Sequence, residues 1–261
     1  MSNTTPERHH LMFVIPARKH SKRCSDKNFR EFINSESLVD IAVKFSMLAC
    51  WHLRSNRGFT DIQIVVTSDR SPEDIIDESV LWRTQGQTIH DKVIVHHRPA
   101  ELATDEAPTS GVIADAVNTY WNKGTTGTVV LVQPTSPFRT AATFSAMIKE
   151  FDPATLNKQR KRPSVTGNDR PDGNLYMWPN VSGRCDEWIF DLKHNKPHYV
   201  QPAQTGVPFN VTHGVLESFD IDTEIDFSVA QKIAQAILMA ELNTDTLSVW
   251  EVDEADRYMP Y

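Results

Sequence analysis

Thirteen residues, Arg18 to Arg30, hold six cations against one acid: Arg18, Lys19, Lys22, Arg23, Lys27 and Arg30 against Asp26. The chain as a whole has a formal charge of -7, so this cluster is a local exception. Such a loop can surround a polyphosphate with cations, charge-assisted hydrogen bonds and backbone amides. The bland alternative is a solvated basic loop. It is not a P-loop, because the GxxxxGK[ST] arrangement is missing. Far along the chain, Asp220 and Asp222 stand at i and i+2. In an extended segment that spacing points both carboxylates to one side. Hard carboxylate oxygens suit Mg²⁺, which takes one or two of them and completes its shell with water and phosphate. The competing reading is an acidic helix N-terminus. That reading suits Asp226 better, since Thr223 and Asp226 resemble a capping box.

These residues need a scaffold, and the hydrophobic pattern supplies one. Strand-like runs at 11–16, 62–69, 93–97 and 128–133 alternate with helical patterns. Leu38, Ile41, Ala42, Phe45, Leu48 and Ala49 share one helical face, and Ile113, Ala116, Val117 and Tyr120 share another. Ser71-Pro72-Glu73-Asp74 reads as a helix start, with a cap, a first-turn proline and early acids. Thr140 to Phe151 and the segment from Phe227 to Leu238 read as further helices. The run at 128–133 is almost wholly apolar, as a strand covered on both faces should be. This βα alternation predicts an α/β three-layer sandwich with a mostly parallel sheet. In such sheets ligands sit at the carboxyl ends of strands. The expected site edge therefore comprises the loop after Pro16, Ser68-Asp69, the loop after His97, and Gln133 to Arg139.

The pattern breaks at 152–213, a stretch rich in Pro, Asn, Gly and His with short pieces such as NLYMW, EWIF and PHYV. This predicts a nucleotide-binding core over 1–151 and 214–261 and a small arm over 152–213. The arm's aromatics, Trp178, Trp188, Phe190, Tyr199 and Phe209, exceed what a short arm can bury alone. A two-fold homodimer would cover them.

Composition excludes several classes. Broad basic surface for nucleic acid is missing. Three cysteines, Cys24, Cys50 and Cys185, without a CxxC pair predict neither a disulfide framework nor a zinc site. The apolar run at 11–15 is too short for a signal peptide or a membrane span, so a cytoplasmic protein is expected. His96 and His97 read as strand-end residues, and the tryptophans as packing.

Four segments carry a family resemblance. Ile15-Pro16-Ala17-Arg18, Ser21-Lys22 and Lys27-Asn28 resemble the N-terminal signature of the acylneuraminate cytidylyltransferases. Arg98-Pro99-Ala100-Glu101-Leu102-Ala103-Thr104-Asp105 resembles a second motif. Gln133-Pro134-Thr135-Ser136-Pro137-Phe138-Arg139-Thr140 resembles a third, and Asp220 to Asp226 a fourth. All four stand in the family's order.

The resemblance implies a nucleotide-diphosphosugar transferase fold. It implies that Arg18, Ser21, Lys22, Lys27 and Asn28 hold the phosphates of CTP, and that Arg98, Ala107 and Thr109 surround the cytosine. Gln133, with Thr135 and Arg139, would contact the sugar. Asp220 and Asp222 would bind Mg²⁺, or Mn²⁺ in its place, and Arg18 and Lys27 would serve catalysis with them. The implied reaction joins CMP to a nonulosonic, sialic-acid-like sugar acid. Two alternatives stand beside it: an octulosonate cytidylyltransferase, and a non-catalytic nucleotide-binding scaffold. The sequence departs from the family at His20 and Asp26, near which the family has glycine. In the arm, two registers fit the family's Asn-Gly turn, Arg170 to Tyr176 and Pro208 to Gly214.

Overall fold

The computed structural model describes residues 9–56, 59–79, 81, 93–121, 126–140, 164–165, 175–178 and 215–241. Its centre is a six-stranded sheet. The strands are β1 (His9–Pro16), β4 (Phe59–Ser68), β5 (Val93–His97), β6 (Thr126–Val132), β7 (Ser164–Val165) and β8 (Leu175–Trp178). Their spatial order is β5-β4-β1-β6-β8-β7. The first four are mutually parallel, while β8 runs antiparallel to β6 and β7 antiparallel to β8. A two-stranded hairpin, β2 (Glu31–Ile33) with β3 (Glu36–Ser37), lies outside this sheet.

The near-continuous apolar character of β1 has a direct cause. Leu11, Phe13 and Ile15 point to one face and pack with Val39, Ala42, Val43, Phe45 and Ala49 of α1 (Leu38–Asn56). Met12 and Val14 point to the other face. There they meet Ile113, Ala114, Ala116 and Val117 of α3 (Thr109–Tyr120). A strand covered on both sides has no solvent face and so no polar alternation. The helix α2 (Pro72–Glu78) starts as its sequence requires, with Ser71 accepting a hydrogen bond from the Asp74 amide at 3.1 Å.

The last described helix, α4 (Glu224–Glu241), packs Phe227, Ala230 and Ala234 against Phe32, Ile33, Leu38, Ile41 and Phe138. Its capping box is reciprocal. Asp226 accepts from the amide and hydroxyl of Thr223, each at 2.8 Å, and the Asp226 amide donates to Thr223 Oγ1 at 3.2 Å.

Leu175–Trp178, placed by sequence in the arm, is a strand of the core sheet. Ser164–Val165, also in the arm, pairs with it as β7; the other arm residues, both registers of its Asn-Gly turn apart from Leu175-Tyr176, and the helix expected to Phe151 beyond Thr140 lie outside the described residues. Among the described residues no helix is long and apolar enough to cross a membrane.

Candidate active site

β1 is the pivot of the topology. The chain leaves it to build β4 and β5 on one side and returns to place β6 on the other. A crevice opens at such a switch point, outside the carboxyl ends of the strands. The loop after β1 holds the cation cluster, and the loop after β6 holds Gln133 to Arg139. The segment 219–223 closes the same edge, because the Ile221 amide donates to the Thr135 carbonyl at 2.9 Å. This bridge, with the Lys27 bond to the Ile221 carbonyl, holds 219–223 at the edge without a strand. It brings Asp220 and Asp222 to the edge.

Lys27 joins the two halves of the site. It is buried, its ammonium donates to the Ile221 carbonyl, and it lies 3.7 Å from Asp222. Burial lowers its pKa from the ordinary lysine value, while Asp222 and Asp220 pull it back up. Asn28 is also buried and donates to the Arg18 carbonyl at 3.1 Å. Its Oδ1 has no hydrogen-bond partner. Arg23 reaches Asp222 at 2.9 Å. Arg30 reaches Glu224 at 2.7 Å, and Glu224 also accepts from the Ser25 amide at 2.9 Å. The start of α4 is thus tied to the cation loop at several points.

Asp26 adopts φ 49°, the left-handed region that glycine enters without strain. Asp is among the non-glycine residues that tolerate this region best, so Asp26 can stand where the turn demands it. The Asp26 carbonyl accepts from the amides of Phe29 and Arg30, both at 3.1 Å, which turns the chain at Lys27.

Arg18 and Lys22 both pair with Asp105, Lys22 at 2.6 Å. Their hydrogen bonds hold the Asp105 carboxyl below the usual carboxylate range, Lys22 first and Arg18 second. Ser21 is half-buried between them in sequence. Asp105 lies on the loop from β5 to α3 that also carries Arg98 and Ala107, and Thr109 begins α3. The Ala107 amide donates to Thr104 Oγ1 at 3.1 Å. Arg98 is buried, and its amide donates to the Ser68 carbonyl at 2.8 Å.

After β6, Arg139 is buried, donates to the Gln133 carbonyl and lies over the Phe45 ring at 5.8 Å. These contacts tie Arg139 into the loop. Gln133 and Thr135 are half-buried. Thr140 binds Glu217 through both amide and hydroxyl, at 3.1 and 2.9 Å.

Asp220 is open to solvent as a residue, yet its carboxyl is crowded. Loss of water raises its pKa, Thr135 opposes this by hydrogen bonding, and the like charge of Asp222 adds to it. Solvent on the open side screens these effects. A divalent cation would relieve such a pair. Among the described residues no group of three or more His, Cys, Asp or Glu side chains forms a self-sufficient metal cage. Two carboxylates beside a cationic loop fit Mg²⁺ shared with phosphate, the usual arrangement for that ion.

His96 and His97 each have a structural partner. His96 lies 2.8 Å from Asp115 and 3.1 Å from Tyr120, and His97 lies 3.0 Å from the Arg70 carbonyl.

No known family model matches the chain. Two curated proteins resemble it over most of its length. An N-acylneuraminate cytidylyltransferase of Escherichia coli is 26% identical over 250 residues, covering 86% of this chain and 52% of that protein. The chain thus spans about half the length of that relative. A CMP-N,N'-diacetyllegionaminic acid synthase of Legionella pneumophila is 24% identical over 259 residues, covering 91% of this chain and 99% of that protein. Among solved structures, a cytidylyltransferase from Leptospira borgpetersenii superposes with TM-score 0.55 at 13% identity. It covers 94% of this chain and 99% of its own. A CMP:2-keto-3-deoxy-manno-octonic acid synthetase complexed with CTP gives 0.50 at 9% identity, covering 87% and 99%. These structural likenesses show a shared α/β fold. The two curated relatives, named as a cytidylyltransferase and a CMP-sugar-acid synthase, are what the four motifs in order make this chain similar to.

Proposed function

We propose that the chain is a cytidylyltransferase that transfers CMP from CTP to a nonulosonic sugar acid and releases pyrophosphate. The observation that carries this reading is the junction at Lys27. One buried cation bridges the phosphate-type loop of β1 to the segment bearing Asp220 and Asp222. A scaffold has no need to assemble both halves at the carboxyl edge of a sheet. The curated relatives named for N-acylneuraminate and N,N'-diacetyllegionaminic acid support a nine-carbon α-keto acid as acceptor.

In this reading a sugar hydroxyl oxygen bonds to the α-phosphorus as the bond to pyrophosphate breaks, and the hydroxyl proton is released. Arg18, Ser21, Lys22 and Asn28 position the phosphates, and Arg98, Ala107 and Thr109 receive the base. Lys27 and Arg18 offset the charge that develops toward pyrophosphate. Such catalysis works through placement and fixed charge, with no covalent nucleophile. Mg²⁺ held by Asp220 and Asp222 would supply further charge stabilisation. Gln133 and Thr135 face the acceptor; Arg139, held by its own loop, supports them. A homodimer with the arm at its contact belongs to this proposal. Pyrophosphate release from CTP across a panel of sugar acids tests it. Turnover with a nine-carbon acid supports the reading, and turnover with octulosonate alone moves the chain to the eight-carbon branch.

A further inference from the structure

The end of β4 carries a carboxylate that the site above leaves without a role. Asp69 follows directly on β4. Its Oδ1 accepts a hydrogen bond from the Lys19 amide at 2.7 Å, in the cation loop. The same oxygen lies 3.7 Å from a terminal guanidinium nitrogen of Arg98, on the loop after β5. The backbone around it repeats this double attachment. The Ala17 amide donates to the Thr67 carbonyl at 2.9 Å, and the Arg98 amide donates to the Ser68 carbonyl at 2.8 Å. The tip of β4 therefore holds the loop of β1 on one side and the loop of β5 on the other.

Arg98 is only 4% exposed, yet its Nε and Nη2 have no hydrogen-bond partner. A separation of 3.7 Å is an ion-pair distance and lies beyond a hydrogen bond. A buried cation without an opposite charge is costly, and buried donors left unused add to that cost. Asp69 offsets the charge and leaves the N–H groups free. Burial draws the Arg98 pKa down, and Asp69 opposes it.

We propose that Asp69 is a positioning residue that couples the two ends of the nucleotide site. Its charge aims the free donors of Arg98 at the base, and its hydrogen bond to Lys19 fixes the phosphate loop at the matching distance. The proposal rests on the reading that a cytosine nucleotide occupies this edge.

Titration calorimetry of the full chain with CTP and with UTP tests it, using wild type, Asp69→Asn and Asp69→Ala. Asparagine keeps an acceptor for the Lys19 amide and loses the charge. Asp69→Asn is expected to bind CTP about tenfold more weakly, as for one lost contact to a charged group, and to narrow the CTP-over-UTP preference. Its kcat should stay within about threefold of wild type, since the loop remains anchored. Asp69→Ala should weaken both nucleotides and lower kcat as well. The near-isosteric asparagine variant carries the test if alanine fails to fold. Wild-type affinity and preference in Asp69→Asn would overturn the proposal. So would equal losses for both nucleotides in the two variants, or a wild-type chain that does not distinguish CTP from UTP. Failure of the underlying reading looks different: CTP binding stays Asp69-dependent, but no sugar acid elicits pyrophosphate.

Discussion

The Lys27 ammonium donates to the carbonyl of Ile221, 194 residues later in the chain, and so joins the loop of β1 to the approach to α4. Burial holds its pKa below the ordinary 10.5. The charged form is the one that offsets phosphate, so activity should fall as pH rises through that lowered value. The alkaline limb of kcat/KM, which reports the free enzyme, should therefore begin below 10.5. Lys27→Met should cost on the order of a hundredfold in kcat/KM, the scale of one lost charge-stabilising donor. An alkaline limb unchanged in Lys27→Met would show that another group titrates.

The three aspartates near α4 should separate by role. Asp220→Asn and Asp222→Asn should fold and turn over about ten- to a hundredfold more slowly, with a raised Mg²⁺ requirement. Asp226→Asn should keep its activity and lose roughly 1 kcal/mol of stability, since its carboxylate serves the capping box. The Asp220 carboxyl is raised in the fold, so its contribution to stability is full below about 3.8 and is lost as pH rises through the folded value. Asp220→Asn should then show a smaller fall in denaturation midpoint between pH 4 and pH 7 than wild type. Loss of activity confined to Asp226→Asn would make the metal assignment a misread helix cap.

Asp105 occupies both Arg18 and Lys22, two cations expected to receive phosphate. Triphosphate must displace it from them. Inorganic tripolyphosphate should bind Asp105→Asn several-fold more tightly than wild type, and the gain should shrink with added salt. Because these cations hold the Asp105 carboxyl below its usual range, mild acid should not reproduce the gain. Weaker binding by Asp105→Asn would mean that the carboxylate orders the cations for phosphate instead of competing with it.

At the far end of the sheet, His10 is fully buried, 3.0 Å from Asp61, and its ring centroid lies 4.4 Å from that of Trp121. Burial lowers its pKa from 6.5, with Asp61 opposing. Below 6.5 the unfolded chain takes up a proton that the folded chain refuses, so this group's contribution falls as pH drops through that window. Urea midpoints at pH 7 and pH 5 should differ less for His10→Gln than for wild type. An identical difference would assign the acid slope to other groups.

The core was legible wherever local pattern and burial coincide. Leu11 to Ile15 alternate between two covered faces, so they read as an apolar run, and Thr223 with Asp226 form the cap that their spacing implies. β8 was not legible as a core strand. Four residues among prolines and glycines carry little pattern, and pairing with β6 is a tertiary fact. The site divides the same way. The cation loop and the Asp220–Asp222 pair announce themselves by residue type. Their partners do not: Arg18 finds Asp105 87 residues away, Lys19 finds Asp69 50 residues away, and Arg23 finds Asp222 199 residues away. No local spacing encodes such contacts, and they decide which cations are already engaged. Arg139 likewise donates to the Gln133 carbonyl within its own loop, a contact that its residue type does not announce.

Pyrophosphate release with Mg²⁺ present is the direct readout of CMP transfer to a sugar acid. Each of CTP, UTP, ATP and GTP should be paired with N-acetylneuraminate, legionaminate-type and pseudaminate-type acids, and octulosonate. A site that hydrogen-bonds one base leaves polar groups unpaired with another and discriminates strongly. Release should require both CTP and a nine-carbon α-keto acid. Equal release from all four nucleotides, or none from CTP with any of the acids, would contradict it.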